Sequence, residues 1–127
     1  MGLPMIAQKV FAAKKQRALE LLSSRGFEPV LPVEDCCLSR YIPLHLAGIK
    51  GENEVLCVKL RAAQGAVSAA YVESFCRFEI CQFRTLLSIE PGNFALRCEI
   101  WVISTNGSIH CYEVLTDEIR EVAAYAR

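Results

Sequence analysis

A long helical pattern between two pairs of strand-like segments leaves this chain few possible folds. Residues 41–49 and 54–60 are joined by a short turn sequence, and residues 95–103 and 109–115 flank an Asn-Gly turn, a strong hairpin signal. Between the two pairs, residues 66–88 carry apolar side chains at helical spacing. Because a helix links the third predicted strand to the fourth, we expect those two strands to lie parallel in one sheet.

Helices are also predicted at both ends of the chain. Residues 4–24 show helical spacing, and Gly26 stands where a left-handed residue commonly ends a helix. Thr116, followed by two acidic residues, predicts a short C-terminal helix. Residues 27–33 predict a strand whose two prolines confine it to a sheet edge. The predicted order is α-β-β-β-α-β-β-α, a mixed α/β fold with a central mixed sheet flanked by helices, in a single domain over residues 1–127.

Two finer expectations concern the long helix and the last hairpin. The helix over 66–88 is expected to end before Pro91-Gly92 and to bury one face, formed by Val67, Tyr71, Phe75, Phe78 and Cys81. A two-residue turn at Asn106-Gly107 would place Glu99 opposite Val114 and Trp101 opposite Tyr112. The tryptophan and tyrosine are expected in the core or a dimer interface.

Composition excludes several classes of protein. Hydrophobic residues make up 53% of the chain and charged residues 22%, which excludes a disordered or collagen-like chain. Fourteen basic residues balance fourteen acidic ones, which argues against gripping nucleic acid through overall charge. No apolar run approaches the roughly 20 residues that cross a bilayer. The seven cysteines lack zinc-site spacing. We expect a cytoplasmic protein with free, buried thiols and no membrane partner.

Charge is nevertheless distributed unevenly along the chain. Residues 1–25 carry five basic residues and one acid, a net charge of +4, which leaves −4 for the remainder. Phosphate-binding candidates on the predicted first helix are Lys9, Lys14, Lys15 and Arg17. A run of charges on a helix is more often its solvated face, so both interpretations stay open.

The middle of the chain carries a resemblance to a known family. Residues 44–49 read LHLAGI and residues 55–60 read VLCVKL, after a first helix that ends in LLSSRGF. This arrangement resembles the restriction-endonuclease-like nucleases with the PD-(D/E)xK signature, near the archaeal Holliday-junction resolvases. The resemblance covers residues 8–115 in the order of elements and is close only over 44–60. It implies a restriction-endonuclease-like core and a nuclease-derived site on the hairpin.

That family holds Mg²⁺ with an Asp on one hairpin arm and a Glu on the other, and a Lys follows the Glu by two residues. The resemblance places these positions at His45, Cys57 and Lys59, and a helical Glu at about Lys15. Only the lysine is retained. The resemblance therefore implies a degenerate site whose cations would repel a dication. Ordinary structural roles, a hydrogen-bonded histidine, a buried inert thiol and a solvated lysine, remain open for these residues.

Three functions follow as hypotheses, one of them a purely structural subunit that dimerises through the sheet edge or the second helix. The favoured one is a non-catalytic module without a cofactor that binds nucleic acid or another anion, or a protein partner. It would use the basic first helix and Lys59, and we expect a homodimer. The alternative is a Mg²⁺-dependent DNA endonuclease that keeps Lys59 and takes its ligands from relocated acids, Glu20, Glu52, Glu54 or Glu99.

Overall fold

The computed structural model describes residues 5–89 and 94–126, with side chains from residue 12 onward. Two 3₁₀ turns, Val33–Asp35 and Cys37–Arg40, lie between the first two strands. The helices and strands in chain order are α1 (Met5–Ser24), β1 (Glu28–Pro29), β2 (Leu46–Lys50), β3 (Glu54–Ala63), α2 (Ala69–Phe75), α3 (Arg77–Ser88), β4 (Ala95–Ser104), β5 (Ile109–Val114) and β6 (Ile119–Tyr125).

All six strands form one mixed sheet in the order β1-β2-β3-β4-β5-β6. Every neighbouring pair is antiparallel except β3 and β4, which run parallel because the chain crosses over through α2 and α3. The mixed α/β class, both hairpins and the parallel pair are confirmed. The proline-containing strand is confirmed as a short edge strand. None of the described helices is both long and apolar enough to span a membrane.

Each face of the sheet carries its own apolar core, because successive side chains along a strand point to opposite faces. Leu56 and Trp101 belong to the core beneath α1, together with Ala18 and Leu22 of the helix. The core beneath α2 and α3 includes Val72, Ile80, Phe83, Cys57, Ile100 and Tyr112. The sheet is thus the middle of three layers. Alternate residues along β3 face α1 on one side of the sheet and α2 and α3 on the other.

The end of α1 is confirmed, and it is built as a Schellman motif. Gly26 has a φ of +90°, and its N–H donates to the carbonyl of Ser23 at 3.0 Å. The N–H of Phe27 donates to the carbonyl of Leu22 at 3.2 Å. This reversal sends the Phe27 ring into the core and leaves Arg25, the last residue before the turn, above the sheet.

The prediction of one long helix over 66–88 is wrong in part, because the chain forms two helices separated at Cys76. Ser68 caps α2 by accepting a hydrogen bond from the Tyr71 N–H at 3.2 Å. The break changes the helical phase, so the face expected to be buried is not. Phe75 is 60% exposed and Phe78 is 71% exposed. The expected helix stop at Pro91-Gly92 lies outside the described residues.

Two further segments differ from expectation. The predicted C-terminal helix is wrong: residues 119–125 form β6, because β5 offers a free edge that satisfies their backbone groups. The turn before it is closed by a hydrogen bond from the Leu115 N–H to the Glu118 carbonyl, at 2.9 Å. The strand predicted over 41–49 begins only at Leu46, since the 3₁₀ turn of Cys37–Arg40 and the bend after it occupy the preceding residues.

The last hairpin forms as predicted, but its register is shifted by one residue. The Ser104 N–H donates to the Ser108 carbonyl at 2.9 Å, and Gly107 has a φ of +90°, so the loop has three residues instead of two. Glu99 therefore lies opposite Glu113, and Trp101 lies opposite Cys111. Trp101 and Tyr112 are both fully buried but lie in different cores, so the predicted contact between them is wrong.

Candidate anion-binding site

His45 extends the β2–β3 ladder beyond the end of β2. Its N–H donates to the Val58 carbonyl at 3.1 Å, and its ring Nδ1 accepts from the Leu60 N–H at 2.7 Å. The two bonds lie on either side of Lys59, the residue opposite His45 on the neighbouring strand. Because Nδ1 accepts a hydrogen bond, the neutral ring carries its proton on Nε2. This histidine therefore has a structural role that the sequence left open.

Lys59 is a buried cation on the α3 side of the sheet, with only 5% of its surface exposed. Its ammonium donates to the side-chain oxygen of Gln82 and lies 5.9 Å from the centre of the Phe83 ring, within the range of a cation–π interaction. Burial lowers the pKa of Lys59, and the charge of Glu79 opposes this effect. The hydrogen bond of this buried ammonium is thus to a neutral amide.

Further charged groups surround these two residues. Arg61, on the same strand, donates to Glu79 of α3 at 2.5 Å. Lys15 of α1 lines a cavity of about 100 Å³ together with His45. Burial lowers the pKa of His45, and the charges of Lys59 and Lys15 lower it further, against the opposing charge of Glu79. We call Lys15, His45, Lys59 and Arg61 the basic cluster. With His45 neutral, its three cations, the carboxylate of Glu79 and that of Glu34, which lines the same cavity as Lys15 and His45, give a net charge of +1.

Cys57 shares a sheet face with Lys59 but belongs to a different group of side chains. It is fully buried, and its thiol hydrogen-bonds to Cys36. That bond and burial raise the pKa of Cys57. Of the residues placed at the nuclease site, the structure places His45 opposite Lys59 and in one cavity with Lys15, and it places Cys57 beside another thiol, that of Cys36.

The other basic residues of α1 do not form one phosphate-facing row. The guanidinium of Arg17 donates to the carbonyl of Ala126 at 2.9 Å, which ties α1 to the chain beyond β6. Lys14, Lys15 and Arg17 are half-buried, whereas Gln16 is exposed. The side chain of Lys9 lies outside the described residues. Lys15 is the α1 lysine that lines the His45 cavity.

The basic cluster does not suit Mg²⁺, which prefers oxygen ligands. All four members of the cluster carry nitrogen and no oxygen in their side-chain polar groups. Within the described side chains, no group of three or more His, Cys, Asp or Glu residues could hold a metal ion. Glu99 lies on the α1 face of the sheet, opposite to Lys59. The other relocated acids lie elsewhere, Glu52 and Glu54 at the β2–β3 turn and Glu20 beside a separate cavity.

Glu99 forms a buried ion pair that the sequence did not reveal. Its side chain is fully buried, and Arg25 donates to its two oxygens at 2.7 and 3.0 Å. The indole N–H of Trp101 donates to the same carboxylate at 2.9 Å, and the Arg25 guanidinium lies 5.7 Å from the indole ring. A glutamate inside an apolar strand predicts that a cation or another donor is buried beside it. The sequence does not show which residue this is, because that depends on where α1 ends. Glu99 is therefore occupied as a structural anion.

Comparisons of this chain with protein families, with curated proteins and with solved structures find no match. The resemblance to the PD-(D/E)xK nucleases thus stays a prediction based on residues 44–60 and on the order of elements.

Proposed function

We propose that this protein is a non-catalytic, nuclease-like module that binds nucleic acid through its phosphate groups at the basic cluster. The observation that carries the proposal is the burial of Lys59 against a neutral amide. His45 lies next to Lys59, and the positive charges of Lys59 and Lys15 both act on its ring. A protein rarely buries a lysine without an anionic partner bonded to it. A phosphate group would supply that partner.

Electrostatics favours an anion here. Two unit charges of the same sign about 4 Å apart repel each other by about 4 kcal/mol at an effective dielectric constant near 20, and the repulsion weakens as the charges separate. The net charge of +1 over the basic cluster with Glu79 and Glu34 therefore favours an incoming anion, and a phosphodiester beside Lys15 would receive a charge-assisted hydrogen bond from its ammonium. The chemistry expected of the cluster is binding rather than Mg²⁺-dependent hydrolysis, because none of its members supplies an oxygen ligand.

Exposed aromatic rings favour nucleic acid over a small anion. Phe78, 71% exposed, directly precedes Glu79, the residue that holds Arg61. Phe75 is also exposed, and its ring lies 4.8 Å from that of Tyr71. Aromatic rings beside basic residues provide stacking surfaces for unpaired bases, each worth about 1–3 kcal/mol. A single strand is therefore the preferred ligand class.

Fluorescence anisotropy with a labelled single-stranded oligonucleotide, at several salt concentrations, tests the proposal. Affinity should fall steeply as salt rises, and Lys15→Ala should weaken binding and reduce the salt slope by about one. Lys50→Ala is the matched control, since Lys50 is an exposed lysine at the far end of β2. Equal losses in both variants, or no salt-dependent binding, would refute the proposal. Mg²⁺-dependent nicking of plasmid that Lys59→Ala abolishes would establish the endonuclease alternative.

The expected homodimer is a further part of this proposal. β6 forms one end of the sheet, and within residues 5–89 and 94–126 no strand pairs with its outer edge. Such an edge can pair with a second copy of itself. Light scattering should give twice the chain mass of 14.2 kDa, and a value equal to one chain would rule the homodimer out.

A further inference from the structure

Cys36 and Cys57 form a pair of thiols beneath α2 and α3. Cys36 lies between the two 3₁₀ turns and is 8% exposed, whereas Cys57 lies in the middle of β3 and is fully buried. The Cys57 thiol donates a hydrogen bond to the Cys36 sulfur. Both are free thiols in the structure. In this pair, Cys36 is the acceptor and lies nearer the surface, whereas Cys57 is the donor and lies deeper in the core.

The surroundings of Cys36 stabilise its thiolate. Besides the Cys57 thiol, the backbone N–H groups of Leu38 and Ser39 lie close enough to the Cys36 sulfur to stabilise its charged form, and the Ser39 N–H donates to the Cys36 carbonyl at 2.9 Å. These three influences outweigh partial burial and lower the pKa of Cys36 to about 6. The pKa of Cys57 is raised, because it is buried and donates to its neighbour. The lowered pKa of Cys36 and the raised pKa of Cys57 make Cys36 the cysteine of the pair that more readily forms a thiolate, the nucleophilic form.

A cavity of about 270 Å³ gives small molecules access to this thiolate. Cys36 lies in its wall with Asp35 and Cys37, and the remaining lining is apolar: Val30, Leu38, Ile49, Val55 and Phe94. Cys57 is not part of the lining and lies on the core side of Cys36. The cavity suits a small apolar molecule with a reactive polar group that can point to Cys36, and the carboxylate of Asp35 disfavours anions.

We propose that Cys36 and Cys57 form an oxidisable pair in which Cys36 reacts with an organic hydroperoxide bound in this cavity and Cys57 completes a disulfide. The Cys36 thiolate attacks the terminal peroxide oxygen, and the O–O bond breaks. The alkoxide that leaves takes a proton from solvent and departs as an alcohol. Cys36 is now a sulfenic acid. The Cys57 sulfur then attacks the Cys36 sulfur, the S–O bond breaks, and the Cys57 proton leaves with the hydroxide as water. Two thiols are oxidised while one peroxide is reduced.

This proposal is independent of nucleic-acid binding, because neither cysteine belongs to the basic cluster. Its test is treatment of the full chain with cumene hydroperoxide, followed by intact-mass measurement and peptide mapping. The mass should fall by two hydrogen atoms, the map should link Cys36 to Cys57, and dithiothreitol should reverse the change. Cys57→Ser should instead accumulate a dimedone-reactive sulfenic acid at Cys36. Cys81→Ser, which removes an exposed thiol on α3, should behave as the wild type does.

Two further measurements keep the proposal falsifiable if a cysteine variant fails to fold. In the unsubstituted chain, alkylation of Cys36 should titrate with a midpoint below the ordinary thiol value of about 8.5, and a midpoint at or above that value would overturn the proposal. Val55→Phe, which narrows the cavity, should slow the reaction with cumene hydroperoxide several-fold more than that with hydrogen peroxide. Equal slowing of both oxidants, or a disulfide that involves Cys37 instead, would also overturn it.

Discussion

Replacement of Arg25 by methionine should destabilise the fold more than any other single charge removal considered for this chain. Methionine keeps the unbranched stem of Arg25 and removes the guanidinium that holds Glu99. The carboxylate would keep the indole N–H of Trp101 as its donor, while Glu113 lies directly opposite in the sheet. A fully buried anion would thus lose its hydrogen-bonded counter-ion next to a second carboxylate and keep only Arg97, whose Nε lies 3.9 Å away.

The expected cost follows from the burial of each partner. Removal of one member of a buried ion pair costs about 3–5 kcal/mol. The side chain of Glu99 is fully buried, but that of Arg25 is 15% exposed, so some water can replace it. Arg97 also lies 3.9 Å from the second oxygen of Glu99 and offers partial compensation. We therefore expect the lower end of the range, about 3 kcal/mol, against a typical total of about 5–15 kcal/mol.

Urea unfolding, followed by the fluorescence of Trp101, the single tryptophan, measures this loss. Arg61→Met is the matched control, since Arg61 pairs with Glu79 at 2.5 Å but is 41% exposed and should cost at most about 1 kcal/mol. Adding Glu99→Gln to Arg25→Met should recover more than half of the loss, because the amide carries no charge and still accepts from the indole. Equal costs for Arg25→Met and Arg61→Met would refute the reasoning.

Three shorter predictions concern packing and pH. Gly48→Ala should destabilise by about 1–3 kcal/mol in urea unfolding, because the added methyl would lie 2.8 Å from the Cβ of Phe27. Tyr112→Phe should leave stability unchanged or raise it by about 1 kcal/mol in thermal unfolding, since within the described residues its buried hydroxyl has no hydrogen-bond partner. The pKa of His45 is lowered on folding, so the unfolded chain binds a proton that the native chain does not, and stability should fall as pH drops below about 6.5. His45→Asn should flatten that dependence, whereas an unchanged slope would assign it to other groups.

The parts of the fold that could be predicted are those that local chemistry decides. Gly26 ends α1 because a residue with positive φ is needed there, and the Asn-Gly turn joins β4 to β5. The C-terminal segment could not be predicted in this way. Its capping residues suit a helix, but the unpaired edge of β5 offers seven residues a complete set of backbone partners. Tertiary context decided that choice.

The candidate site shows the same division. The hairpin brings His45 next to Lys59, and alternation along β3 puts Cys57 and Lys59 on one face, as the sequence predicts. What the site can do depends on Gln82 and Glu79, which come from α3, about 20 residues further along the chain. Those two contacts depend on the break at Cys76, which sets the phase of α3, and no periodicity in the sequence indicates that break.

The effect of replacing the buried Lys59 on stability shows whether this lysine serves binding or holds the fold together. A buried ammonium bonded to an amide loses hydration that the amide replaces only in part, so it costs the fold stability in the absence of an anion. Lys59→Met, which is similar in length and apolar, should therefore be as stable as the wild type or more so in urea unfolding, while it weakens oligonucleotide binding. Clear destabilisation would instead show that the contacts of Lys59 with Gln82 and Phe83 hold the fold together. The proposal would then lose the observation that carries it, whatever the affinity of the basic surface.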